Sequence, residues 1–179
     1  MRGCCFTGHR PEKCGFRYEK TAAEYVMLAD ELERQLLSAL ERGFDTFYSG
    51  GAKGFDILAA ETLIRLREKR PLRIVIVVPY RAQAAGFSPR WRARYNRVLA
   101  AADEIVYLSD DYYRGCFEDR NRYMVDRSEL VLAHYDGSAG GTRNTINYAK
   151  RNGVEVINLG ERLKNIFNYS FFDEGEKNG

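Results

Sequence analysis

The sequence predicts an α/β protein, a Rossmann-like open parallel sheet with helices on both faces. Three observations carry this reading. Short β-branched or aromatic runs alternate with amphipathic stretches along the chain, the order that builds parallel strands joined by right-handed crossovers. The run Ile74–Val78 is continuously apolar, as a strand buried on both faces of a parallel sheet requires. Two glycine-rich turns, Ser49–Asp56 and Asp136–Thr142, each join a strand-like run to a helix-like one, at the carboxyl ends of strands where open α/β sheets bind ligands.

Length and composition set the frame. A chain of 179 residues is one domain's worth, and 45% hydrophobic with 30% charged content suits a protein with a full core. The expected organisation is a ligand-binding domain over residues 1–160, followed by a C-terminal helix and a fraying tail over 161–179. A net charge of +3 is too slight to mark a nucleic-acid binder by itself. No apolar run approaches a membrane span, and Met1-Arg2-Gly3-Cys4-Cys5 does not read as a signal peptide, so a cytoplasmic protein is expected. The cysteines, Cys4, Cys5, Cys14 and Cys116, form no CxxC pair. No metal site is therefore expected, and Cys4 and Cys5 suit a buried first strand.

Taken in order, Arg2–Phe6 reads as the first strand, feeding the polar loop Thr7-Gly8-His9-Arg10-Pro11. A long helix over Thr21–Arg42 places Tyr25, Ala29, Leu32, Leu36 and Leu40 on one face, and Gly43 ends it. Phe44–Tyr48 is the second strand and Ile57–Lys69 the helix after the first glycine turn. Leu72–Val78 is the third strand. Arg90–Ala102 is a helix with Trp91, Tyr95, Val98 and Leu99 inward and its arginines forming a solvated face. Glu104–Leu108 is the fourth strand, followed by a helix over Phe117–Asp126, with Phe117, Arg120 or Asn121, and Met124 on neighbouring turns. Glu129–Tyr135 is a strand, Arg143–Asn152 a helix with Thr142 as its N-cap, and Val154–Leu159 the last strand.

The two turns have a shared chemistry. Glycines let backbone N–H groups approach a ligand closely, and each following helix aims its unpaired N–H groups and positive dipole end at the same spot. Ser49, Gly50, Gly51, Lys53 and Gly54 in the first turn, and Gly140, Gly141 and Thr142 in the second, are thus expected to cradle phosphate. Thr7, Gly8, His9 and Arg10 extend the site from the first strand, and Arg10 and Arg81 add positive charge. Asp56 either caps the helix after Phe55 or meets a ribose hydroxyl. Gly51→Asp or Gly141→Asp is expected to abolish binding.

The motifs Thr7-Gly8-His9-Arg10-Pro11, Ser49–Asp56, Arg120-Asn121 with Met124-Val125-Asp126, and Gly140-Gly141-Thr142 resemble the YpsA-like branch of the SLOG superfamily, over roughly residues 3–160. Pro79, Gln83, Trp91 and Tyr95 fall where such sequences carry them. That superfamily groups the DNA-processing protein DprA with the LOG nucleotide phosphoribohydrolases. The resemblance implies a Rossmann-like domain that binds nucleotides or nucleotide-derived ligands at both glycine turns. LOG-type enzymes follow their Gly-Gly-x-Gly-Thr segment with a glutamate on the next helix. Here Thr142 is followed by Arg143-Asn144-Thr145-Ile146-Asn147-Tyr148, with no carboxylate.

The leading expectation is binding or sensing of a ligand of the AMP, ADP-ribose or NAD kind, with no cofactor required. An N-glycosidase is the alternative. It needs a carboxylate beside the ribose, and Asp56, Glu61 and Asp136 are the candidates, with Glu118 more remote. A third reading, from the DprA side of the superfamily, is single-stranded nucleic-acid binding through Arg90, Trp91, Arg92 and Arg94. A homo-oligomer or protein partner is compatible with each.

Overall fold

The computed structural model describes residues 1–164. Six strands, β1 (Gly3–Gly8), β2 (Thr46–Ser49), β3 (Arg73–Val78), β4 (Glu104–Tyr107), β5 (Leu130–His134) and β6 (Glu155–Asn158), form one parallel sheet in the order β4-β3-β2-β1-β5-β6. Between them run α1 (Ala23–Glu41), α2 (Phe55–Arg67), α3 (Pro89–Ala101), α4 (Cys116–Val125) and α5 (Gly141–Arg151), with a short 3-10 turn at Pro11–Lys13. The fold class is the one the alternation of runs predicts. The expected C-terminal helix and tail lie almost wholly outside the described residues.

The alternation of side chains along the central strands separates two cores. Cys4 and Phe6 of β1, Phe47 of β2, Ile74, Ile76 and Val78 of β3, and Leu130 and Leu132 of β5 face α1, α2 and α3. Cys5, Val75, Val77 and Val131 face α4 and α5, meeting Met124, Val125 and Ala149. Phe6 stacks on Phe47 with ring centroids 6.5 Å apart and meets Phe55 edge-on at 6.4 Å, which fixes α2 against β1. Each such buried ring contributes roughly 1.5–3 kcal/mol relative to exposure. All four cysteines are free and buried.

The structure moves several boundaries. β1 runs two residues past Phe6 because Thr7 and Gly8 pair with Ala133 and His134 of β5. α1 begins at Ala23 rather than Thr21. α2 begins at Phe55, so Asp56 lies inside its first turn and is not its cap; Gly54 holds that position. Likewise α5 starts at Gly141 with Gly140 as N-cap, and Thr142, one residue inside, does not cap it. Among the described residues no helix is long and apolar enough to cross a membrane.

Candidate functional site

The strand order places the site. From β1 the chain steps through β2, β3 and β4 in one direction, then returns to the other side of β1 with β5. At such a reversal the loops after the two central strands diverge and leave a crevice at their carboxyl ends. A cavity of about 470 Å³ occupies it. β1 supplies Thr7 and Gly8, and the following loop supplies His9, Arg10, Glu12 and Lys13. The turn into α2 adds Ala52 and Asp56, α4 adds Phe117, Arg120 and Asn121, and the turn into α5 adds Ser138, Gly140, Gly141 and Thr142.

A buried ion pair forms the floor. Asp56 Oδ2 lies 3.7 Å from Arg120 Nη1, and both side chains are almost fully buried. Arg120 Nη1 also donates to the Gly50 carbonyl at 2.6 Å, and its Nε donates to Asn121 Oδ1 at 2.8 Å. Asn121 Nδ2 in turn donates to Thr145 Oγ1 on α5 at 2.9 Å. Burial raises the Asp56 pKa against the opposing pull of Arg120, and burial lowers that of Arg120 against the pull of Asp56. Gly50 must be glycine for this arrangement: a Cβ there would stand 1.6 Å from Arg120 Nη1.

The α5 end is the other pole. No side chain caps this helix, its first turn carries no acidic residue, and a Cβ on Gly141 would meet nothing within 4 Å. The leading N–H groups of a helix have no partner within it. Lys13 Nζ reaches the same turn, donating to the Ala139 carbonyl at 3.1 Å. Glu12 is paired with Lys53 and Asp56 with Arg120. Arg10, its guanidinium carbon 5.2 Å from the Phe117 ring centre, and Lys13 have no carboxylate partner among the described residues.

Behind the cavity lies a histidine pair. His9 Nε2 is 2.8 Å from Asp136 Oδ1, and the Ser138 amide donates to the same oxygen at 2.8 Å. Hydrogen bonds from Ser138, then from His9, hold the Asp136 carboxyl well below the usual carboxylate range. Tyr18 Oη donates to the His9 carbonyl at 3.0 Å and lies 2.9 Å from His134 Nδ1. With that proton committed to the carbonyl, Nδ1 of His134 is the donor to Tyr18. Burial, then the nearby His9, pushes the His134 pKa down to about 4.

Of the residues expected at the site, Thr7, Gly8, His9, Arg10, Asp56, Gly140, Gly141 and Thr142 converge on the cavity. Ser49, Gly50, Gly51 and Gly54 stand behind its wall. Ser49 Oγ donates to the Asp56 carbonyl at 3.0 Å, and the amides of Gly51 and Ala52 are directed to Ser49 Oγ and Asp56 Oδ2. The first glycine turn therefore braces Asp56 and Arg120, while Gly141 of the second faces open space. Lys53 lines a smaller neighbouring cavity of about 210 Å³, together with Arg10, Tyr80, Gln83 and Phe87.

Three expected positions fall elsewhere. Arg81 is drawn outward by Asp110, whose Oδ1 accepts from its Nε at 2.6 Å, and stays exposed. Glu61 accepts from Arg94 Nε and Nη2 at 2.8 and 2.6 Å. That corrects the reading of the α3 arginines as a uniformly solvated face: Arg94 is buried, over Trp91, because Glu61 neutralises it there. Arg90 pairs with Glu19, and Arg92 donates to the Ala85 carbonyl. Asp136 does not line the cavity and reaches it through His9 and Ser138, which do. The cavity residues not anticipated as ligand contacts are Glu12, Lys13, Ala52, Phe117, Arg120, Asn121 and Ser138, beside the strand residue Phe6. Of these, Phe117 with Arg120 and Asn121, one helical turn apart, carried a legible signal.

Comparison with known proteins agrees with this fold. The family model described as the YspA SLOG family (YpsA) matches residues 4–156. The SPbeta prophage-derived protein YoqJ of Bacillus subtilis is 38% identical over 118 residues, spanning 59% of this chain and 69% of YoqJ. The UPF0398 protein YpsA of Bacillus subtilis is 27% identical over 146 residues, 79% of this chain and 80% of its own. Among solved structures, DNA processing protein A of Helicobacter pylori, studied for its single-stranded DNA binding mode, superposes with a TM-score of 0.59 at 17% identity. The match covers 87% of this chain but spans only 63% of that one; at this identity it speaks for the fold alone.

Proposed function

The chain belongs to the YspA SLOG family, and from that premise we propose that it binds a nucleotide or nucleotide-derived ligand, of the AMP, ADP-ribose or NAD kind, in the crevice between β1 and β5. The observation that carries the proposal is the uncapped start of α5. It opens into a 470 Å³ cavity where Arg10 and Lys13 form no direct ion pair with a carboxylate of the described residues. A phosphate placed there completes the helix N–H groups and both cations together. Thr142 adds a hydroxyl at the rim, and Asp56 and Asn121 offer polar groups to a sugar.

Thermal shift and calorimetry against AMP, ADP-ribose, NAD and nucleoside triphosphates test this. A ligand at a hundredfold over its dissociation constant stabilises by about 2.7 kcal/mol, a rise of ~5–10 °C for a chain of this size. Gly141→Asp puts a carboxylate where phosphate belongs without a steric clash, and is expected to abolish the shift while keeping the apo melting temperature. A flat panel with the unmodified protein, or unchanged affinity in Gly141→Asp, refutes the proposal. Gly51→Asp is unsuitable, since φ is +61° and a Cβ meets the Tyr95 ring at 2.9 Å, so it would report on folding.

One observation favours a second reading, hydrolysis of an N-glycosidic bond. Of the three carboxylates considered for it, only Asp56 lines the cavity, and its pKa is raised, a combination that marks candidate acid–base groups. Release of free base or nicotinamide, lost in Asp56→Asn that still binds ligand, would establish turnover. A product level equal to that of buffer would exclude it for the substrate tested.

A further inference from the structure

β4 is an edge of the sheet. It stands last in the strand order and, among the described residues, pairs only with β3. An edge offers a row of unpaired N–H and C=O groups to other chains, and proteins ordinarily guard it with lysine, proline, a bulge or a covering element. Among the described residues β4 has none of these. Its register with β3 is unbroken, and Glu104-Ile105-Val106-Tyr107-Leu108 holds no proline or lysine. Its one charge, Glu104, is bound by Arg73 Nη2 at 2.6 Å. Six large apolar side chains are exposed among the described residues, and four of them, Ile105, Tyr107, Tyr112 and Tyr113, belong to β4 and the loop after it.

The ladder fixes which groups are free. Tyr107 is the partner of Val78, and the Leu108 N–H donates to the Val78 carbonyl at 3.0 Å. Successive residues of a strand turn their backbone groups to opposite sides, so Val106, like Leu108, spends its own on β3, while Ile105 and Tyr107 direct theirs outward. We propose that this edge is filled by the same edge of a second copy, the two β4 strands running antiparallel about a two-fold axis at Val106. In that register Ile105 of one copy lies opposite Tyr107 of the other, and the two such pairs close four N–H···O=C bonds, using every outward group of both residues. The axis stands normal to the sheet and keeps each side chain on its own face, so Ile105 packs on Tyr107 and Val106 on Val106. An axis at Ile105 sets Glu104 against Val106, and one at Tyr107 sets Ile105 against Ser109; the Val106 axis leaves only the end pair, Glu104 with Leu108, mixed. Charges agree with the same register. The exposed Asp110 comes level with Arg73 on the strand behind the other copy's edge, and Glu104 faces the end that carries Arg81. A pairing of this length falls at the small end of specific interfaces, under ~1,200 Å² in all, so the dimer is weak and reversible. β1 lies three strands in from this edge, roughly 14 Å away, and the two crevices point to opposite sides. The dimer therefore leaves both open and does not depend on what they bind.

Sedimentation velocity on the full chain from ~5 to ~500 µM, a range that brackets micromolar to near-millimolar dissociation constants, tests this. The expected result is a monomer on dilution and a dimer at the upper end. Ile105→Lys and Tyr107→Glu, each at an exposed side chain, should each raise the dissociation constant about tenfold or more by placing a charge on the edge, at an unchanged melting temperature. Both replacements in one chain should restore the dimer, because every new lysine then faces a new glutamate across the axis; a role in folding alone would make the double variant worse. Amide exchange on the unmodified protein needs no variant. The Ile105 and Tyr107 amides should exchange slowly at the upper concentration and freely on dilution. A parent that is monomeric throughout, single variants that still dimerise, or a double variant that does not recover overturns the proposal. So does a monomer whose Ile105 and Tyr107 amides stay protected on dilution, which would assign the edge to residues 165–179 of the same chain.

Discussion

Replacing Arg120 with leucine removes one member of the buried pair at the floor of the cavity. The Asp56 carboxylate is then left in the interior without its nearest cation, 3.7 Å away, and the Gly50 carbonyl keeps only the Gln83 amide at 3.2 Å. Stranding one charge of a buried pair costs about 3–5 kcal/mol, a large part of a typical domain stability of ~5–15 kcal/mol. Urea unfolding at pH 7 should show that loss with little change in slope. Adding Asp56→Asn should recover most of it, because no stranded charge remains. The pH dependence has a definite sign. Burial already raises the folded-state pKa of Asp56 above its unfolded value, and loss of Arg120 raises it further. The penalty is therefore absent below the unfolded pKa and complete once pH exceeds the folded one, so the deficit of Arg120→Leu narrows as pH falls. A single variant within about 1 kcal/mol of the parent at pH 7 would refute this account of the pair, as would a deficit that does not change with pH.

Further predictions concern other parts of the frame. His134, depressed from 6.5 to about 4, contributes stability that is full above pH 6.5 and is lost as pH falls through about 4, on the order of 3 kcal/mol; its imidazole signals in NMR should titrate near pH 4, and a midpoint near 6.5 would contradict the buried geometry. Glu61→Ala leaves Arg94 buried without its carboxylate and should cost ~3–5 kcal/mol in urea unfolding while ligand affinity stays the same; a change in affinity at unchanged stability would return Glu61 to the site. Gly50→Ala should destabilise by at least ~1–3 kcal/mol through its collision with Arg120, whereas Gly141→Ala, with open space around its new methyl, should melt with the parent. Equal melting of the two alanine variants would undo the distinction between the bracing turn and the open one.

The sheet was legible because its signals are local and strong. Ile74–Val78 is a strand by composition alone, and the stripe through Leu32 and Leu36 is a helix by spacing alone. The two glycine turns were also legible, but not their division of labour. What separates them is the identity of the atoms beyond the glycines: the Arg120 guanidinium behind Gly50 and empty space beside Gly141. Those partners come from elements 70 and 126 residues away in contacts such as Arg120 to Gly50 and Lys13 to Ala139, and no local pattern encodes them. Arg81 and Glu61 misled for the same reason, since a charged residue in a loop after a strand or on a helix after a glycine turn looks available until its counter-ion, Asp110 or Arg94, is in view.

β1 comes first in the sequence yet lies inside the sheet, with β5 on its far edge. During synthesis, β1 through β4 are made while that edge has no neighbour, and it stays open until Leu130–His134 follows. Pairing across so long a separation is slow, and an open edge is where chains adhere to one another. The same late step brings Gly140 to Thr142 up to Arg10 and Lys13, so the crevice comes into being only once β5 has paired with β1. Any ligand held there binds the chain with β5 in place and not its precursors, and by mass action favours that pairing. Occupancy of the site is then also a record that β5 has found β1.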